Sequence, residues 1–148
     1  MSYTVIEEGL LNVIRLATGF DSGNISKGDY RILTESREFY VVLTPGAIRN
    51  RQLIAAPRYI STTWLTNIEL FVPYDEDLTE IWSQLRTARQ SLIDTIDAYP
   101  TLNSTTGVFN AFLGGGAQPE IRRGSGRRWW YQSLEISIDE RLIVSILE

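Results

Sequence analysis

The stretch that decides the fold is RYISTTWLTNIELFVPY (Arg58–Tyr74) followed by DEDLTEIWSQLRTARQSLIDTIDAY (Asp75–Tyr99). In the first half Ile60, Thr62, Trp64, Thr66, Ile68, Leu70, Val72 and Tyr74 share one parity. The opposite parity, Tyr59, Ser61, Thr63, Leu65, Asn67, Glu69 and Phe71, is more polar. Period-two alternation of this length predicts a long strand with one face on a core and the other partly wet. Pro73, Asp75 and Asp77 end it. Apolar residues then recur at Leu78, Ile81, Leu85, Ala88, Leu92, Ile96 and Tyr99, the stripe of an amphipathic helix. A long strand feeding a long helix predicts a helix lying on a sheet.

Composition narrows the chemistry. The chain has 148 residues, 43% hydrophobic and 22% charged, which suits one α+β domain over 1–148. With 0 Cys and 0 His it has no thiol nucleophile, no imidazole base and no Cys/His metal site. A chain of this size buries roughly 70% of its unfolded surface, so it needs no disulfide or metal staple. No run is apolar and long enough to cross a membrane as a helix. Glu7 and Glu8 stand where a signal peptide would be basic, and predict a protein made inside the cell and unprocessed. The net charge of −4 offers no general attraction to nucleic acid or anionic lipid. Lys27 is the only lysine among 14 basic residues. An arginine bias suits protein contacts, or simply reflects the composition of the source organism.

Outward from the decisive stretch, Val5 to about Thr18 carries Ile6, Leu10, Val13, Ile14 and Ala17 on one helical face. Thr4 and Glu7 fit a capping box at its start, and Asp77 and Glu80 fit another at the second helix. Tyr30–Thr34 and Phe39–Leu43 read as a hairpin. Residues 46–57 read as a loop whose Ile48, Leu53 and Ile54 are buried against the domain's own core or against a neighbouring subunit. Gly107–Leu113 reads as a strand, Gly114–Gly126 as a flexible loop, and Trp129–Ile138 as a last strand. That strand extends to Leu147 past a break at Asp139-Glu140, with Trp130, Leu134, Ile136 and Ile138 inward. The expected order is α-β-β-β-α-β-β: a mainly antiparallel sheet of four to five strands with two principal helices on it.

No candidate site assembles a nucleophile, a base and an orienting group, which argues against an enzyme. Gly114-Gly115-Gly116 lacks the lysine, hydroxyl and following helix of a phosphate loop. Asp75, Glu76, Asp77 and Glu80 admit a hard cation, but helix capping accounts for them without one, and no cofactor or metal is expected. Arg122, Arg123, Arg127 and Arg128 beside Trp129, Trp130 and Tyr131 leave three readings open. They form a solvated loop entering a strand, a protein-docking surface, or a nucleic-acid site where bases stack on rings.

The strand end Tyr40-Val41-Val42-Leu43-Thr44-Pro45-Gly46, the Arg58–Tyr74 strand with its central Trp64, and the capped helix after Asp77 together resemble a known group. It is the tail terminator (tail completion) family, minor tail proteins of long-tailed bacteriophages, and the resemblance runs from about Thr4 to Ser137. It implies an α/β subunit in a homo-hexameric ring at the head-proximal end of the virion tail, made in the host cytoplasm. Such a ring caps the tube, stops its polymerisation, and offers the joining surface for the head. The implied partners are the subunit itself, the tail tube protein and a head completion or connector protein, with DNA only passing through the lumen and no membrane. The family has no active-site residues to carry over and assigns nothing to the 114–128 segment. A head-to-tail ring needs two different surfaces. The candidates are the Arg49/Arg51 segment, the acidic helix start (Asp75, Glu76, Glu80), and the arginine segment (Arg122, Arg123, Arg127, Arg128, with Trp129 and Tyr131). The competing class is a nucleic-acid-binding or regulatory module using residues 122–131.

Overall fold

Two long antiparallel strands form the spine of the molecule: β4 (Arg58–Pro73) and β7 (Arg127–Ile143), in register from Tyr59 opposite Ile143 to Pro73 opposite Trp129. The computed structural model describes residues 3–21, 23–28, 39–44, 46–55, 58–74, 77–124 and 126–143. Along both spine strands the even-numbered side chains face the helices and the odd-numbered ones face away, as the alternation predicts. Ile68, Leu70, Val72, Leu134, Ile136 and Ile138 share one core with α1 (Tyr3–Ile14) and α2 (Leu78–Ala98).

The other strands attach on either flank of the spine. On the β4 side lie β2 (Tyr40–Leu43), opposite Ile68–Phe71, and β3 (Ala47–Ala55), opposite Arg58–Leu65. A three-residue β1 (Ile25–Lys27) runs parallel to β2. On the β7 side lie β5 (Val108–Gly116), opposite Leu134–Glu140, and β6 (Glu120–Gly124), opposite Arg127–Tyr131. Among the described residues the result is a mostly antiparallel seven-stranded sheet in an α+β fold. It is wider than the four to five strands expected.

The helices owe their positions to their stripes. In α2, Ile81, Leu85, Ala88, Leu92 and Ile96 are buried, and each large side chain contributes about 1.5–3 kcal/mol by leaving water. Asp77 caps α2, accepting from the backbone N–H groups of Thr79 and Glu80 at 3.1 and 3.2 Å. In α1 the stripe Ile6, Leu10, Val13 and Ile14 is buried as expected, with Ala17 just beyond the helix. The Thr4 cap is not formed, because α1 is already helical at Tyr3. Tyr3 ties this helix to β4: its hydroxyl bonds Thr66 Oγ1 and its ring lies 5.0 Å from that of Trp64.

Three readings of the sequence change. Residues 46–57 contain strand β3 in place of a loop, and the Gly/Arg segment is the end of β5 plus β6, joined through 117–119. Strand β7 runs unbroken through Asp139-Glu140. The Tyr30–Thr34 strand and the part of the last strand's extension beyond Ile143 lie outside the described residues.

Candidate assembly interface

The arginine segment owes its geometry to the β6–β7 ribbon. Arg122 stands opposite Trp129 and Arg123 opposite Arg128. Directly opposed residues share a face, and successive ones alternate. Arg122 and Arg127 therefore lie on the side away from the helices, and Arg123 and Arg128 on the helix side. Four arginines that look like one patch in the sequence are two pairs, back to back and all exposed. Arg122 stacks over the Tyr131 ring at 3.9 Å and pairs with Glu120 at 2.8 Å. Arg128 stacks over Tyr74 at 4.1 Å, and Tyr74 in turn lies parallel to Trp130.

The neighbouring aromatics are packing residues. Trp129 is 1% exposed and Tyr131 5%; with Tyr40, Val42 and Phe71 they form a second buried cluster on the side of the sheet away from the helices. Trp129 meets Tyr40 and Phe71 edge-on, at 5.7 and 6.5 Å. As candidate surface anchors Trp129 and Tyr131 are corrected: neither ring is available to a partner or a stacked base. The Tyr131 hydroxyl donates to Glu69 Oε1 at 3.0 Å. Burial, and then the Glu69 carboxylate, pushes the Tyr131 phenol above its usual range. Glu69, expected on a wet face, is buried with it.

The end of β4, just before α2, lies beside the arginine ribbon. Tyr74 N–H donates to the Arg128 carbonyl at 3.3 Å, and an open cleft of about 440 Å³ joins Pro73 and Tyr74 to Arg123, Arg127 and Arg128. The end of β4 and the arginine ribbon therefore meet at one end of the spine. Glu80 is exposed on α2 and accepts from Gln84 at 3.3 Å, while Asp75 and Glu76 lie outside the described residues. No group of three or more His, Cys, Asp or Glu is placed to hold a metal among the described residues.

The least settled surface is the β3 arm at the opposite end. Arg49 and Arg51 are exposed on it, flanking a bulge between Ile48 and Asn50. Ile48 is 54% exposed and Leu53 56%, so the apolar side chains of this segment are not in the domain's own core. Across the sheet, Phe109 and Phe112 of β5 are also more than half exposed, and the Arg141 guanidinium sits 3.5 Å over the Phe109 ring. The sequence points to Arg49 and Arg51 but hides the strand that carries them, because β3 is exposed along nearly its whole length and shows no burial period. The signal it did carry was three apolar residues in a supposed loop. Four buried polar atoms, Trp64 Nε1, Trp130 Nε1, Gln132 Oε1 and Glu140 Oε2, find no hydrogen-bond partner among the described residues.

The mostly antiparallel sheet leaves apolar and arginine-bearing strands exposed, the kind of surface that protein contacts cover. No protein-family model matches the sequence, and no curated protein does. The fold itself recurs in a chain of the virion of a native gene transfer agent (GTA) particle, with a TM-score of 0.52 at 9% identity. The match covers 94% of this chain and 99% of that one, and at this identity it shows the fold alone. No helix among the described residues is long and apolar enough to cross a membrane.

Proposed function

We propose that this chain is a structural virion protein, a ring-forming tail terminator that caps the tail tube, stops its polymerisation and presents the head-joining surface. One observation carries the reading: the fold matches, nearly end to end, a chain from a virion particle. The exposed apolar residues of β3 and β5 support it, since an assembling subunit must carry surface that only its neighbours cover. The proposed partners are further copies of the chain, the tail tube protein and a head completion or connector protein, with DNA passing through the lumen. The role is one of assembly without catalysis, in the virion. Binding of single-stranded nucleic acid through residues 122–131 is the weaker reading, because the Trp129 and Tyr131 rings are buried and the arginines point two ways.

The test is light scattering with negative-stain imaging, run with and without the tail tube protein. The expected result is a ring of about six times the 16.8 kDa chain mass, seated on tube ends. A monomer that forms no ring under either condition refutes the proposal. Replacing Arg122, Arg123, Arg127 and Arg128 with alanine asks whether the ribbon is a contact. Normal rings and normal capping by that variant remove the ribbon from the interface.

A further inference from the structure

We propose that the open edge of β3 in one copy pairs antiparallel with the open edge of β5 in the next, so that the sheet continues from subunit to subunit. This inference rests on the ring reading and names the contact that would build it.

Four observations point to it. First, β3 and β5 are both nine residues long and lie at opposite margins of the same half of the sheet, and neither outer edge is paired to another strand among the described residues. Second, the two edges are level. Ala47, Leu65, Ser137 and Phe112 form one row across the four strands, and Asn50, Thr63, Asp139 and Asn110 form another. Because each neighbouring pair is antiparallel, β3 and β5 run in opposite directions. A copy placed alongside in the same orientation therefore brings its β3 against β5 as an antiparallel pair, with the faces of the sheet preserved.

Third, the β5 edge lacks the charge and proline that guard an isolated edge. Free edges are usually blunted with charge, proline or a covering element. The nine residues of β5, VFNAFLGGG, carry no charge, and their last three are glycines, which leave the backbone open to close approach. Strand β3 leaves Ile48 and Leu53 in water.

Fourth, the charges are complementary. The Ala47–Ile60 arm holds Arg49, Arg51 and Arg58 and no acid, in a chain of net −4. Behind the β5 edge, β7 presents Glu135, Asp139 and Glu140. Glu140 is 2% exposed, with an oxygen that has no partner among the described residues. The row Arg51, Thr62, Glu140, Val108 sets Glu140 one strand in from the β5 edge. With rows kept level, the partner subunit's Arg51 arrives at Val108 on the same face as Glu140. The contact is heterologous, head to tail, and closes when the rotation between copies closes.

The chain has no cysteine, so the contact can be read by cross-linking. Ala47→Cys and Phe112→Cys place single thiols on exposed positions of one row and one face, one on each edge. The two variants are mixed, treated with a short bismaleimide, and compared with each variant alone, while light scattering records the oligomer in the same samples. The expected result is a covalent two-chain product in the mixture and none with either variant alone. Rings by light scattering without the mixed product overturn the edge pairing and leave the ring reading standing. Equal product from one variant alone overturns it in favour of a symmetric contact. A monomer with no product, both with and without the tail tube protein, overturns both.

Discussion

Trp129 separates packing from partner contact, and its replacement by alanine gives the clearest number. The side chain is 1% exposed and meets Tyr40 and Phe71 edge-on within the cluster that also holds Val42 and Tyr131. A buried tryptophan removes about 200 Å² from water. At roughly 25 cal/mol per Å² that is near 5 kcal/mol. Measured losses for Phe or Trp to Ala in cores are about 3–5 kcal/mol, where neighbours relax only partly into the cavity. Trp129→Ala is therefore expected to lower the unfolding free energy of the isolated subunit by about 3–5 kcal/mol, a large share of the roughly 5–15 kcal/mol of an ordinary domain. Urea titration followed by circular dichroism measures it, as a fall in the midpoint at constant slope. Trp129→Phe keeps an edge-on ring and retains most of the stability, which guards against a variant that fails to fold. A Trp129→Ala subunit of undiminished stability that no longer assembles refutes the reasoning and returns this residue to the interface.

Gly9 gives an opposite-sign test in α1. In an exposed helix Gly→Ala gains about 1 kcal/mol, but a Cβ here falls against Thr105 Oγ1 and within 2.9 Å of its Cγ2. Overpacking costs about 1–3 kcal/mol, so Gly9→Ala is expected to lower the thermal midpoint, and a raised midpoint refutes the contact. Asp77→Ala removes the cap that holds two N–H groups of α2 and is expected to cost about 1 kcal/mol, with Asp77→Asn largely retaining it, as read by urea titration. The Tyr131 phenol titrates above its ordinary 10.0 in the fold, so above that pH the unfolded chain loses the proton first. The folded state then holds more protons, and stability falls as pH rises past 10.0 toward the folded value. Tyr131→Phe is expected to flatten that alkaline decline, and an unchanged slope contradicts the burial of the hydroxyl.

Much of the fold is legible wherever burial imposes a period. The parity of Arg58–Tyr74, the inward set Trp130, Leu134, Ile136 and Ile138, and the Ile81–Ile96 stripe read directly, because one face of each meets the helix–sheet core. Strand β3 does not read, because Ile48, Leu53 and the arginines between them lie in water on a ribbon that the subunit leaves bare. Gly114–Gly116 reads as a loop because glycine has low strand propensity, yet its pairing to Leu134 and Glu135 holds it in the sheet. The arrangement of the arginines is hidden for a different reason. Sequence proximity gathers Arg122, Arg123, Arg127 and Arg128 into one patch, whereas the pleat of a two-stranded ribbon splits them between faces. It likewise groups Trp129 and Tyr131 with the arginines although the fold buries both. The meeting of Tyr74 with Arg128 is a contact between residues far apart in sequence, set by the β4–β7 register, and no local pattern encodes it.

The central claim is that this subunit ends a tube. The most direct measurement adds the chain to polymerising tail tube protein and follows tube length and tube ends by negative-stain imaging. The account predicts that tubes stop growing once the chain is present, each carrying a ring at one end. Tubes that elongate unchanged, with bare ends and the chain left free in solution, contradict it.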